Sequence, residues 1–223
     1  VLALTLQSPQ RPRLEVLCVG AHCDDIEIGC GGAVLSLQRE GRACRFHWLV
    51  LSSVPQRRDE ASAAFEAMVM PQNRGELRVF GLRDGLLPSH FAELKSYFEQ
   101  MKSDVEPDLI FTHHGADRHQ DHAIVSQVTW QTFRDHTIWE YEIPKFDGDL
   151  STPNLYVPLS SDVAAMKVDV IMTSFASQAG KPWFKADNLQ AMMRLRGIES
   201  RSGSGFAEAF HCRKLLFRES GAT

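Results

Sequence analysis

The sequence predicts an α/β fold of the Rossmann-like kind, a mostly parallel sheet flanked by helices on both faces. Two observations predict it. Apolar runs of strand length alternate with segments of helical periodicity along nearly the whole chain, and this alternation is the signature of a parallel sheet joined by right-handed crossovers. The first and fourth of those runs also end in clusters of His and Asp, at the strand ends where open α/β sheets bind their ligands.

The elements follow in order. "LEVLCVGA" (Leu14 to Ala21) reads as a buried strand, and "GAVLSLQREG" as a helix that turns Ala33, Val34 and Leu37 to the sheet and stops at Gly41. "CRFHWLVLS" is a second strand, "RRDEASAAFEAMV" a helix and "ELRVFGL" a third strand, closed by the turn "RDG" around Asp84. Ser89 is placed to cap the helix "HFAELKSYFEQMKSDV", and Pro107 ends the connection to the fourth strand, "DLIFTH". That strand runs into "HGADRHQDH" and the helix "AIVSQVTWQTF". Beyond it, "TIWEYEI" and "NLYVPL" read as strands, "DVAAMKVDVIMTSF" and "KADNLQAMMRLRGI" as helices, and "AFHCRKLLF" as a closing strand. No internal repeat, low-complexity tract or linker interrupts the pattern.

At 223 residues the chain suits one well-buried domain. Residues 1–12 read as a loose N-terminal extension without the basic leader, continuous apolar region or cleavage site of a signal peptide, and 13–223 as a single domain. No apolar run approaches the roughly 20 residues that span a bilayer. Twenty-four Lys and Arg against 28 Asp and Glu give a net charge of −4 with no basic run, which argues against a nucleic-acid partner. The five cysteines form no C-x-x-C pair and are odd in number, pointing to a reducing, cytoplasmic setting.

The stretch "VLCVGAHCDDIEIGCGG" crowds His22, Asp24 and Asp25 ahead of a glycine-rich segment. A dinucleotide fold would need room for phosphate there, yet two carboxylates occupy the turn, and like charges repel unless a cation lies between them. Zinc takes imidazole nitrogen and carboxylate oxygen, and a catalytic site has three protein ligands with the remaining coordination open. His22, Asp25 and His122 meet that count, His122 because it opens a helix at the edge of the fourth strand. Asp24 is then a carboxylate near the metal, placed to take a proton from water.

These residues resemble a known family. "AHCDDIEIGCGG" resembles the A-H-P-D-D-E-x-x-G-x-G-G signature, and "HHGADRHQDH" the H-x-x-D-x-H-P-D-H signature, of the PIG-L/LmbE-like zinc-dependent de-N-acetylases. Further similarities are "RRDEASAA" to R-x-x-E-x-x-A-A, "GLRDGLL" to a substrate-loop aspartate, "SFASQ" to H-x-S-Q and "FAEAF" to A-E-A-F. The resemblance implies a zinc cofactor on His22, Asp25 and His122, with Asp24 as general base. It implies His119 as the acid or oxyanion-stabilising group, Asp121 as the residue that orients His119, and Arg57 and Asp84 as substrate contacts. Cys23 and Gln120 replace prolines and Ile26 replaces a glutamate, but no ligand is lost. Cys23 reads either as a small packing residue or as a thiol activated by a nearby cation. Arg57 could instead pair with Glu60 on its own helix, and Asp84 could simply serve its glycine turn.

The expected activity is hydrolysis of the acetamide of an N-acetylated amino sugar, carried on a glycan, nucleotide sugar, glycoconjugate or glycosylated small molecule. Specificity is expected in loops such as 143–153, "IPKFDGDLSTP". His113 and His114 are expected to line the pocket without ligating. Trp139, Trp183 and Tyr141 read as sugar-stacking or core residues. Two other readings compete: a metal-free nucleotide-binding Rossmann protein, for which no G-x-G-x-x-G follows the first strand, and a non-catalytic sugar-binding member of the same fold.

Overall fold

A computed structural model describes residues 3, 5, 6, 12–39 and 43–216. Its first half alternates regularly: β1 (Leu14–Gly20), α1 (Asp25–Arg39), β2 (Cys44–Ser52), α2 (Pro55–Met68), β3 (Arg74–Leu82), α3 (Phe91–Val105), β4 (Leu109–His113) and α4 (Gln120–Thr132). β5 (Thr137–Tyr141), β6 (Leu155–Pro158), α5 (Ser161–Ser174), α6 (Ala186–Ser200) and β7 (Ala207–His211) complete it. Among the described residues seven strands lie in one sheet of order β3-β2-β1-β4-β5-β7-β6. The first five pair in parallel, whereas β7 runs antiparallel to both β5 and β6.

Both faces of the sheet are covered, which is why β1 can be apolar at successive positions. Val16 and Cys18 pack with residues of α1, α2, α5 and α6, among them Val34, Phe65, Val168 and Met193. Leu17 and Val19 point the other way, into a second core with Leu94 and Phe98 of α3 and Val125 and Val128 of α4. The crossovers therefore change sides between β1 and β4, and a crevice opens at the carboxyl ends of these two neighbouring strands. His22 follows β1 and His119 follows β4, so the fold brings the two polar clusters together. Among the described residues no helix is long and apolar enough to cross a membrane.

Several boundaries differ from the sequence expectation; α4, for one, begins at Gln120, three residues before Ala123. α1 begins at Asp25, seven residues before Gly32, because the glycines read as a turn are helical. A Cβ at Gly29 would stand 2.2 Å from the Tyr141 ring, and one at Gly32 2.7 Å from Leu159, so these glycines admit close packing. Ser89 does not cap α3: its Oγ donates to the Leu86 carbonyl at 2.7 Å, and the residue before the helix is His90. The closing strand is Ala207–His211, four residues of which are buried, while 212–216 leave the sheet. Gly41, the expected stop of α1, and most of 1–12 lie outside the described residues.

A buried ion pair enters α1 from the opposite end of the chain. Glu208 of β7 accepts the Gly32 and Ala33 N–H groups, both at 2.7 Å. Lys167 of α5 donates to the Ile28 carbonyl and to Glu208, both at 2.6 Å. In a regular helix the Gly32 N–H and the Ile28 C=O are the two ends of one rung, so Glu208 and Lys167 attend both ends of it.

Candidate functional site

The turn after β1 is tight: a Cβ on Gly20 would lie 3.0 Å from the His22 carbonyl. It delivers His22 and Asp24, and then Asp25 as the first residue of α1, whose Oδ2 accepts the His22 N–H at 2.6 Å. From the other strand end, His119 sits at the N-cap of α4 and His122 in its first turn.

Three side chains converge. His22 Nδ1 lies 3.3 Å from Asp25 Oδ2 and 3.3 Å from His122 Nε2, and His122 Nε2 lies 3.6 Å from Asp25 Oδ1. Ligand atoms on a tetrahedral ion with bonds of 2.0–2.1 Å are about 3.3–3.4 Å apart, so the His22–His122 separation is that of two ligands of one zinc ion, and Asp25 turns one oxygen to each of them, Oδ2 to His22 and Oδ1 to His122. The donor set, two imidazoles and a carboxylate, suits the same ion. Other groupings meet here as well: His22 with His119 and His122, Asp25 with His113 and His122, and His22 with Asp84 and Asp121. His113 is engaged otherwise, since its Nε2 accepts the Ala21 N–H at 3.0 Å and lies 3.2 Å from the Tyr141 hydroxyl. Asp84 is three-quarters exposed and reaches His22 Nε2 at 3.1 Å.

The outer contacts fix the imidazoles. His122 Nδ1 meets Asp117 Oδ2 at 3.0 Å, an oxygen that also receives Lys145 Nζ at 3.0 Å. Asp117 Oδ1 accepts the His119 N–H at 2.8 Å. Asp121 differs from its expected place. Its carboxylate accepts the Gly85 and Leu87 N–H groups and lies 3.2 Å from His22 Nε2, and it meets His119 only through its backbone N–H, 3.2 Å from His119 Nδ1. With Nδ1 accepting, the ring proton of neutral His119 is on Nε2.

Asp24 is buried, and its Oδ1 takes Arg57 Nη2 at 2.8 Å. Arg57 also reaches Glu60 at 3.4 Å and Ser177 Oγ at 3.3 Å, so it makes the intrahelical pair and holds Asp24 at once. Burial raises the Asp24 carboxyl above its usual range even with Arg57 opposing. The neighbouring Asp25, although burial works against it, is held well below that range by His122, His113 and His22. Burial, and then the charges of His122 and His22, lower the basicity of His119. His22 is pushed well up: burial opposes this, but Asp25, Asp121 and Asp84 outweigh it. A cation on its Nδ1 side would compensate the same carboxylates in place of that proton.

These groups open on a cavity of about 790 Å³. Arg57, Asp84, Gln178 and the 143–147 segment line it, as does Trp183, whereas Trp139 and Tyr141 are core residues. The Cys23 thiol is buried, pushed up to about 12 by desolvation, and near the Ser52 carbonyl, which is the behaviour of a packing residue. The glycines of α1 face Tyr141, Met68 and Glu208, leaving no phosphate cradle of the kind the nucleotide-binding reading needs. Asp117 carries no role in the sequence expectation, although it lies in the quoted motif. The need of a ligating imidazole for a carboxylate on its second nitrogen is the signal that points to it.

Comparison with known proteins gives consistent results. The profile of the PIG-L family, described as GlcNAc-PI de-N-acetylase, matches residues 17–133, just over half the chain. An uncharacterized deacetylase of Escherichia coli K12, YaiS, is 28% identical over 159 residues, covering 65% of this chain and 82% of its own. The N,N'-diacetylchitobiose deacetylase of Pyrococcus horikoshii superposes with a TM-score of 0.69 at 18% identity, covering 89% of this chain and 83% of that one. The 4-carboxy-2-hydroxymuconate hydratase GalB of Pseudomonas putida KT2440 superposes with a TM-score of 0.68 at 16% identity, over 94% and 100%. At these identities the two structures establish the shared fold and no activity.

Proposed function

Because the chain belongs to the PIG-L family of de-N-acetylases, we propose that it is a zinc-dependent hydrolase that releases acetate from an N-acetylated amino sugar in a small molecule or glycoconjugate. The observation that supports this reading is the meeting of His22, Asp25 and His122, their closest atoms 3.3–3.6 Å apart, beside a buried and separately held Asp24. When bound there, a divalent ion supplies Lewis-acid polarisation of the amide carbonyl and makes a neighbouring water more acidic.

The chain's own residues do the rest. Asp24 takes the proton of the attacking water, and its raised pKa suits a base that must also give the proton up. Arg57 fixes the orientation of Asp24 through the 2.8 Å contact. His119, neutral with its proton on Nε2, donates to the oxygen that becomes negative as the tetrahedral centre forms. Asp117 sets the His122 ring and the His119 backbone together, and Asp121 sets the His22 ring. The proton held by Asp24 then passes to the nitrogen as the C–N bond breaks, giving free amine and acetate. Asp84 and the 143–147 segment line the space for the sugar.

The test is a panel of N-acetylated sugars assayed for free amine with and without chelator, alongside elemental analysis. About one divalent ion per chain, loss of turnover on chelation and recovery with Zn²⁺ are expected. Full turnover in metal-free protein would overturn the proposal.

A further inference from the structure

The segment between β5 and β6 folds back on itself and is fastened at its ends. Arg196 of α6, 5% exposed, reaches the two Glu142 oxygens at 2.9 and 2.7 Å and the Ser151 carbonyl at 3.2 Å, so one guanidinium closes the base of a compact Ω-type loop. Residues 143–147 line the cavity, and among them Phe146 is 78% exposed. Gly148, with φ +62, takes the left-handed conformation that turns the chain back, and Asp149 returns to Lys145.

Lys145 reaches inward from this loop. An ammonium has three protons, and here three carboxylate oxygens surround it: Asp149 Oδ1 at 2.7 Å, Asp149 Oδ2 at 2.6 Å and Asp117 Oδ2 at 3.0 Å. No proton is left over for a substrate, although Lys145 borders the cavity. The pair with Asp149 already holds the loop to itself, so the contact with Asp117 serves something outside it. Asp117 Oδ2 is the oxygen that meets His122 Nδ1 at 3.0 Å, and Asp117 Oδ1 accepts the His119 N–H at 2.8 Å. Take Lys145 away, and the oxygen facing His122 loses the donor that sets its direction. Asp149 adds a parallel tie by accepting the N–H of Arg118, the residue after Asp117, at 2.8 Å.

We propose that Lys145 is a positioning residue of the metal site: it holds the Asp117 carboxylate, and through it the His122 ring, in the direction a ligand needs. The proposal rests on the zinc reading of His22, Asp25 and His122 and adds to it a residue from the cavity loop. A ligating imidazole depends on the carboxylate at its second nitrogen, and loss of such a partner costs about 10–100-fold in metal affinity. Lys145 acts one contact further out, which places its effect near the lower figure. The loop that lines the cavity and the ligand His122 thus meet in one side chain.

The experiment measures zinc dissociation constants by competition with a chromophoric chelator, without substrate, in wild type, Lys145→Met, Asp117→Ala and the double variant. Lys145→Met should weaken zinc binding by about 10-fold when Asp117 is present, and by less than about twofold once Asp117 is replaced by Ala, because the path to His122 is then gone. A change within about twofold with Asp117 present would overturn the proposal, and so would an equal loss in both backgrounds, since Lys145 would then act only through the shape of its loop. Circular dichroism checks the fold of each variant, and if Lys145→Met does not fold, Lys145→Gln takes its place in the same cycle. Wild-type protein that binds no zinc refutes the zinc reading and this proposal with it, whereas zinc binding indifferent to Lys145 refutes the proposal alone.

Discussion

Replacing Lys167 with Met tests whether the ion pair in α1 matters to stability. The Lys167 and Glu208 side chains are each 4% exposed and lie 2.6 Å apart. Met fills most of the lysine volume, so the loss is chiefly electrostatic: a buried carboxylate without its cation and an Ile28 carbonyl without the Lys167 donor. Breaking a buried pair from one side costs about 3–5 kcal/mol. Glu208 keeps the Gly32 and Ala33 N–H groups at 2.7 Å, which places the loss near the lower figure, about 3 kcal/mol. For a chain of this size that is a fall in Tm of about 6–12 °C. Urea and thermal unfolding should be measured on metal-free protein, since bound metal adds its own stabilisation. The Lys167→Met/Glu208→Gln double variant removes the orphaned charge and should regain at least half of the loss. A Lys167→Met protein within about 1 kcal/mol of wild type, or a double variant with simply additive losses, would refute the reasoning.

Asp24→Asn should retain the metal while kcat falls by about 10²-fold or more, whereas Asp25→Ala should lose the metal, and the opposite outcome would reverse the two roles. His119→Ala should keep full metal occupancy and lose about 10²-fold or more in kcat, and normal turnover at full occupancy would remove it from the mechanism. Asp117 is held at about 2: burial works against this, but the His122 hydrogen bond and charge, a backbone N–H and Lys145 prevail. Its unfolded value is higher, so it contributes about 2 kcal/mol that is present above pH 4 and lost as pH falls through 2. Acid titration of unfolding free energy in metal-free protein should show this loss in wild type, and an equal loss in Asp117→Asn would contradict the assignment.

The order of strands and helices was legible because burial on both sheet faces forces short apolar runs, and β2 has the ends its run sets. The start of α1 was not. Gly29, Gly31 and Gly32 have the composition of a loop, and only contact with Tyr141, Met68 and Glu208 makes them helical. At the site, the adjacency of His22, Asp24 and Asp25 announces itself in sequence, as does the His119, Asp121 and His122 spacing. Which carboxylate serves which imidazole does not: Asp121 is next to His122 in sequence but serves His22, while Asp117, five residues away, serves His122. The turn around Gly85, with φ +79, draws Asp121 aside by offering its N–H at 2.7 Å.

The position of β7 bears on the order in which the chain can assemble. β7 lies between β5 and β6, and among the described residues β6 has no other strand beside it. A chain that folds as it is synthesised can therefore dock β1 to β5 early, while β6 waits for residues 207–211. The loop that carries Phe146 runs from β5 to β6, and before that late strand inserts it is held at Asp149, which accepts the Arg118 N–H at 2.8 Å. The same dependence holds in the finished protein: fluctuations that release β7 release β6 with it, with the five parallel strands intact. Amide hydrogen exchange should accordingly group residues 155–158 with 207–211, at a lower protection than 14–20 and 44–52.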